Sequence, residues 1–187
     1  MQSRSLRFLE MLRSLVGLLG FLLGFSMPAS AQAPMYTLGA NAGVAAPAGD
    51  LSSFTSMGYT VAATVGVHHP LIPLGLRAEA SWMELPWSDD SGVRRRIYGF
   101  AVDGTANFGT VATNGGGLYI TGGVGYFGWK DTGGLFDTIT LWNVGFNAGL
   151  GYYLPLSRFA VSLEGRYESV LSSTSQGMFP ITVGVTF

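Results

Sequence analysis

The chain has 187 residues, a net charge of -1 and only 11% charged residues, against about 25% in an ordinary soluble domain. It has one lysine, Lys130, and no cysteine, which excludes a basic nucleic-acid surface, a disulfide framework and thiolate metal or nucleophile chemistry. We therefore expect a single domain that does not bind nucleic acid.

The first predicted element is an amino-terminal targeting segment. Basic residues between Arg4 and Arg13 precede an apolar run over 15–25, and small residues follow at 29–31. This order is typical of a secretory signal peptide. The apolar run is too short for a membrane-spanning helix, which needs about 20 residues. We predict that residues 1–31 are a cleaved signal peptide and that residues 32–187 form the exported domain.

From Tyr36 onward, apolar and polar residues alternate, and Gly, Pro, Asp, Asn and Ser interrupt the pattern at regular intervals. Seven of the eight segments have nine to eleven residues and one has seven, near the length that a tilted strand needs to cross a bilayer. The segments span 36–44, 59–67, 76–82, 98–108, 118–128, 142–152, 159–167 and 179–187. Because none of the exported domain has an apolar stretch of helix-spanning length, a membrane-embedded form would have to use strands.

Alternation alone fits both a soluble barrel with an apolar interior and a membrane barrel with an apolar exterior. The apolar face carries 14 aromatic residues, and the interior of an eight-stranded barrel is too narrow for so many rings. The opposite face is mostly Gly, Thr, Asn, Ser and Ala, with too few charges to make a protein soluble. We therefore predict an all-β fold, an eight-stranded antiparallel up-and-down transmembrane β-barrel with its apolar face in lipid.

If odd-numbered strands run outward, the aromatic residues of the apolar face form two girdles, one near each end of the barrel. Transmembrane barrels have such aromatic girdles at their two membrane interfaces. The outer girdle comprises Trp82, Tyr98, Tyr126, Trp142, Tyr167 and Phe179. The inner girdle comprises Tyr36, Phe108, Tyr152, Phe159 and Phe187. The same direction predicts outer loops at 45–57, 84–95, 130–138 and 170–178.

Six charged residues fall on the small-residue face and are predicted to line the lumen. They are Arg77, Glu79, Asp103, Glu164, Arg166 and Glu168. The third and seventh strands lie on opposite walls, so Arg77 is expected to reach Glu164 or Glu168. By the same argument, Arg166 is expected to reach Glu79. Buried charges must pair, which favours a structural plug; the alternative is a small passive pore for ions or small solutes, lined by the surplus carboxylates.

No catalytic, cofactor or metal site is predicted. The lumen carboxylates have no nucleophile or substrate cleft beside them in the pattern, and the adjacent His68 and His69 have poor spacing for a metal on a strand. The run Arg94–Arg96 is predicted at the outer rim, at the depth of anionic head-group phosphates. We expect a non-enzymatic protein without a cofactor.

The last segment ends the chain with Phe179, Ile181, Val183, Val185 and Phe187 on one face. Together with the first hairpin and the signal peptide, this pattern resembles the small OmpA/OmpX-like outer-membrane β-barrel domain family over residues 34–187. The resemblance implies a bacterial outer-membrane location and contact with outer-membrane lipid and lipopolysaccharide. It also implies that periplasmic chaperones and the barrel assembly machinery, which reads the last segment as an assembly signal, are partners. The family includes anchors, adhesins and narrow pores, so it implies no single function.

Overall fold

The structure, a computed structural model, describes residues 35–68, 72–89, 92–108, 116–133, 141–156, 158–172 and 176–187. These residues belong to one compact unit. The predicted signal peptide, 1–31, and His69 lie outside the described residues. In the described ranges, no helix is long and apolar enough to cross a membrane.

Every alternating segment of the sequence forms a strand, because β-branched and aromatic residues suit a pleated surface that is buried on one side. The strands are β1 (Met35–Gly49), β2 (Gly58–His68), β3 (Leu74–Pro86), β4 (Arg94–Asn107), β5 (Gly117–Thr132), β6 (Leu141–Pro155), β7 (Ala160–Val170) and β8 (Gln176–Thr186). A short 3-10 helix, η1 (Asp50–Ser53), follows β1. The glycine that joins them, Gly49, has a φ of 61°, which favours glycine because it lacks a Cβ.

Each strand pairs antiparallel with the next, and β8 pairs with β1 to close the barrel. At the closing seam, Ala42 lies opposite Val183 and Val44 lies opposite Ile181. Each of the described strands therefore has a paired strand on both sides, and the sheet has no edge strand. The predicted eight-stranded antiparallel up-and-down barrel is confirmed.

The apolar face of the barrel lies on its outside. Val124 is 63% exposed and Val183 is 56% exposed, whereas Glu79 and Asp103 are buried. We call the end with the 50–57 connection the outer end, and the end with Met35 and Phe187 the inner end. Aromatic rings meet near both ends: the ring centroids of Tyr126 and Trp142 are 5.2 Å apart, and those of Phe159 and Phe187 are 6.1 Å apart.

The strands extend further at the outer end than the sequence pattern predicted. The expected outer loop at 84–95 is wrong at both its boundaries, because β3 continues to Pro86 and β4 begins at Arg94. Their pairing continues to Pro86 opposite Arg94, and Arg94 lies opposite Thr132 of β5. Ion pairs between these strand ends stabilise the extension, and a hydropathy pattern does not reveal them.

Candidate functional site in the barrel lumen

Alternation along three strands directs the six predicted lumen charges into the barrel. Arg77 and Glu79 lie two residues apart on β3, so both side chains share the inner face of that strand. Arg77 lies opposite Asp103 of β4 in the register. The remaining three, Glu164, Arg166 and Glu168, follow every second residue along β7. All except Arg77 are buried, and the Arg77 side chain is largely so.

The structure joins these side chains into one continuous network. Arg77 Nη1 donates to Glu164 Oε2 across the lumen at 2.7 Å, and Arg77 Nη2 donates to Asp103 Oδ2 at 3.0 Å. On the next level toward the outer end, Arg166 Nη2 donates to Glu79 Oε1 at 2.6 Å. Asp103 links the two levels, because its Oδ2 is also 3.4 Å from Arg166 Nη1.

Glu168 is the last carboxylate of the set, and its Oε1 lies 3.4 Å from Arg166 Nε. Arg166 also lies 3.3 Å from Glu164, so this one guanidinium contacts four carboxylates. Two arginines therefore face four acidic groups in a lumen with a low dielectric. Such an arrangement holds its geometry only while each charge keeps its partner, because an unpaired buried charge is costly.

Three neutral side chains complete the network and are not among the predicted site residues. The Tyr119 hydroxyl donates to Glu164 at 2.7 Å, and Asn147 Nδ2 donates to Asp103 at 2.8 Å. Thr121 accepts from Arg77 at 3.3 Å. All three lie on the inner faces of β5 and β6. Strand parity is the signal that could have identified them, but it does not distinguish network members from other lumen residues.

A compact apolar cluster fills the lumen at the outer end, above the charged network. Its buried members are Ala45, Leu51, Met83, Leu85, Ile97, Phe127, Val170 and Met178. Sequence reasoning missed this cluster, because it described the inner face as mostly small and polar. The members on strands follow the lumen parity, so the pattern contains their signal, whereas Leu51 lies on η1. The space that accommodates such large side chains is set by residues on neighbouring strands.

Phe127 shows how that space arises. Its side chain is 2% exposed, and its ring lies against glycines of β4, of β6 and of its own strand. A Cβ added at Gly99, Gly125 or Gly145 would approach the ring to 3.1, 2.6 and 2.9 Å respectively. Glycine at these positions therefore makes room for one aromatic ring across the lumen.

The first outer connection covers the apolar cluster. Leu51 of η1 is fully buried within it, and the Thr55 hydroxyl donates to the Leu51 carbonyl at 2.7 Å. Beside it, Arg95 makes a two-pronged ion pair with Asp131, with contacts of 2.7 and 2.6 Å. The Arg95 guanidinium lies 5.0 Å from the centre of the Phe54 ring. The outer end of the lumen is thus filled and covered.

The inner half of the lumen contains a cavity of about 280 Å³ that both polar and apolar side chains line. Its lining includes Thr37, Asn41, Thr64, Arg77, Tyr119 and Glu164. The charged network stands at the outer boundary of this cavity, since Arg77, Tyr119 and Glu164 belong to both. In the described part of the chain, no group of three His, Cys, Asp or Glu side chains is placed to hold a metal ion.

The arginine run at the outer end is divided by strand parity. Arg95 faces the lumen, whereas Arg94 and Arg96 lie on the outside and bracket Glu84. Arg94 Nη1 donates to Glu84 Oε1 at 2.7 Å, and Arg96 Nε donates to Oε2 at 2.9 Å. These two hydrogen bonds hold the Glu84 carboxylate between the two guanidinium groups.

The predicted assembly residues lie along β8 on the outside of the barrel. Phe179, Ile181 and Val183 are exposed, and Phe187 stands at the inner end beside Phe159. β8 is paired on both sides, with β1 and with β7. In the closed barrel these side chains therefore form a surface stripe.

No family model matches the sequence, and no curated protein matches it. Solved structures match its fold. Neisserial surface protein A is 12% identical over 83% of this chain and 98% of that chain, with a TM-score of 0.68. The N-terminal β-barrel domain of Pseudomonas aeruginosa OprF is 16% identical over 83% and 100%, with a TM-score of 0.50. A major outer membrane protein from Thermus thermophilus is 13% identical over 83% and 99%, with a TM-score of 0.52.

Proposed function

We propose that this chain, which has the fold of the small eight-stranded outer-membrane β-barrels, is a non-enzymatic outer-membrane protein with a plugged lumen and a structural or surface-interaction role. The resemblance to the small OmpA/OmpX-like barrels is confirmed at the level of the fold. The role beyond that fold is our inference from the lumen and from the outer surface.

The outer surface supports residence in a membrane. Large apolar side chains such as Leu38, Phe100 and Leu150 are exposed on it, whereas the ion pairs of the membrane-crossing part lie in the lumen. A charge that faces lipid at mid-depth costs about 2–4 kcal/mol, so a barrel in lipid keeps its charges inside. In water the same surface would be a very large exposed apolar patch, which soluble monomers rarely show.

The observation that carries the plugged lumen is the stacking of two closing layers. The charged network spans the lumen from Arg77 on β3 to Glu164 on β7, and the apolar cluster around Leu85 and Phe127 fills the outer end. An ion crossing the barrel would have to separate the ion pairs and then displace the cluster. Two such layers in series favour a closed barrel.

The alternative function is a small passive pore for ions or small solutes. The observation that favours it is the cavity in the inner half. This cavity ends at the charged network, where four carboxylates meet two arginines. A pore would require the apolar cluster to move, because that cluster and not the cavity blocks the outer end. We therefore rank the pore second.

We also propose that the chain has no enzymatic role. Glu164 and Asp103 are held by Arg77, and Glu79 is held by Arg166. These carboxylates lie beneath the apolar cluster, away from the outer end where a lipid substrate of the outer leaflet would lie. Their arrangement is that of a structural network.

We also propose a cellular route and partners for this chain. We infer export through the cleaved signal peptide, passage with periplasmic chaperones, and insertion by the barrel assembly machinery, with β8 as the assembly signal. In the membrane, the partners are outer-membrane lipid and lipopolysaccharide. The exposed stripe of Phe179, Ile181, Val183 and Phe187 supports the role of β8.

Planar-bilayer recording tests the choice between plug and pore. We expect the refolded wild-type barrel to give no steady open channel, because both closing layers persist in the folded state. Folding is checked in the same sample by gel mobility with and without boiling. Steady single-channel openings from protein that passes this check would replace the plugged barrel by the passive pore.

A further inference from the structure

A charged cluster lies on the outside of the barrel wall at its outer end. It comprises Glu84 of β3 with Arg94 and Arg96 of β4, and we call it the outer shelf. In the register, Arg96 lies directly opposite Glu84. Parity places all three side chains on the same face as Trp82 and Tyr98 of the outer girdle, so the outer shelf faces sideways from the barrel.

The outer shelf presents two guanidinium groups around one carboxylate. The Glu84 side chain is 4% exposed, whereas those of Arg94 and Arg96 are 57% and 42% exposed. The shelf therefore has a net charge of +1, from two arginines and one glutamate. The Glu84 carboxylate accepts one hydrogen bond from each guanidinium, from Nη1 of Arg94 and from Nε of Arg96. Each arginine has five N–H donors in a fixed fork, and in the described part of the chain the contact with Glu84 engages one nitrogen of each.

The depth of the outer shelf matches a lipid head group. Tyr98 follows Arg96 by two residues on the same face of β4, a distance of about 7 Å along a strand. Aromatic girdles mark the boundary between acyl chains and head groups. Tyr59 of β2 lies opposite Glu84 in the register. Its ring meets that of Trp82 edge to face at 5.4 Å, and the two rings offer an apolar wall beside the shelf.

We propose that the outer shelf is a binding site for the phosphate groups of an anionic lipid in the outer leaflet. This inference rests on the proposed outer-membrane location. Arginine forks match phosphate oxygens in pairs of charge-assisted hydrogen bonds, and Glu84 fixes the spacing of the two forks. The sideways direction favours a lipid over a soluble anion, because the phosphate and the acyl chains of one lipid would contact the arginines and the girdle together.

The test uses the refolded full barrel with lipid A that carries two phosphates, and native mass spectrometry to count bound lipid. We expect Arg94→Gln/Arg96→Gln to bind this lipid at least about tenfold more weakly than wild type, because charge-assisted contacts are lost. Arg94→Lys/Arg96→Lys keeps the charge but lacks the fork, and we expect intermediate binding. Arg158→Gln is the matched control, since it removes one exposed arginine at the inner end, and we expect wild-type binding.

Three outcomes would overturn the proposal. The first is wild-type binding by the double glutamine variant when gel mobility shows that it is folded. The second is equal loss with Arg158→Gln, which would indicate general charge attraction. The third is displacement of the lipid by inorganic phosphate at equal phosphate concentration, which would indicate an ion site without lipid recognition. If the wild-type barrel does not fold into bilayers at all, the outer-membrane location fails, and gel mobility identifies that failure separately.

Discussion

Replacing Arg166 by methionine is expected to lower the free energy of unfolding of the barrel by about 3–5 kcal/mol. Methionine fills a similar length of the lumen but carries no charge. The change removes the 2.6 Å contact with Glu79 and the contact with Glu168, and leaves Arg77 alone against four carboxylates. A buried charge without a partner costs more free energy than the ion pair contributed to stability. We therefore expect a large loss of stability.

Urea unfolding of the barrel in lipid vesicles, followed by tryptophan fluorescence, measures this loss. Arg158→Met is the control, since Arg158 is exposed at the inner end, and we expect it to unfold as wild type does. Adding Glu79→Gln to Arg166→Met should recover part of the stability, because one stranded carboxylate is then neutral. A single Arg166→Met variant as stable as wild type would contradict the network as a structural plug.

Replacing Val183 by arginine is expected to reduce the yield of folded barrel in outer-membrane fractions severely. Val183 is 56% exposed on the outside of β8, midway between Phe179 of the outer girdle and Phe187 of the inner girdle. An arginine that faces lipid at mid-depth costs about 2–4 kcal/mol. The change also interrupts the alternating apolar stripe that we propose as the assembly signal.

Cell fractionation with gel mobility measures that yield. Met57→Arg is the matched control, because Met57 is 62% exposed and lies in the outer connection before β2, beyond the outer girdle. There an arginine meets head groups or water, and we expect near-normal yield. Equal yields of Val183→Arg and wild type would contradict both the depth of Val183 and the role of β8.

The sequence predicted most of the fold because the period of two is a local property of each strand. One parity assignment was sufficient to place Val124 outside and Asp103 inside, and strands in lipid must close into a barrel to satisfy their backbone groups. The contacts between Arg77 and Glu164 and between Arg166 and Glu79 follow from the same reasoning, since β3 and β7 lie on opposite walls and long side chains reach across a narrow lumen.

The apolar cluster could not be predicted in the same way. Phe127 fits inside because Gly99 lies opposite it on β4 and Gly145 lies near it on β6, and register is a property of strand pairs. Likewise, Leu51 enters the lumen because η1 folds over the outer end. An alternating pattern gives the direction of each side chain but not the volume available to it.

The arginine run shows the same limit at shorter range. Three consecutive arginines suggested one exposed rim patch, but β4 extends far enough to divide them. Arg95 pairs with Asp131 inside, and its neighbours meet Glu84 outside. Where a strand ends depends on such pairs, which join residues 10 to 36 positions apart.

Oxygen accessibility of spin labels tests the sidedness of the barrel wall most directly. The chain has no cysteine, so Val124→Cys and Ser52→Cys each give a single labelling site on the refolded protein in bilayers. At Val124 we expect fast relaxation by oxygen, which dissolves in hydrocarbon, and little relaxation by a water-soluble nickel complex. At Ser52, on η1, we expect the reverse. If the nickel complex reached both labels equally, or if the protein stayed dissolved in water without detergent, the apolar face would not be in lipid.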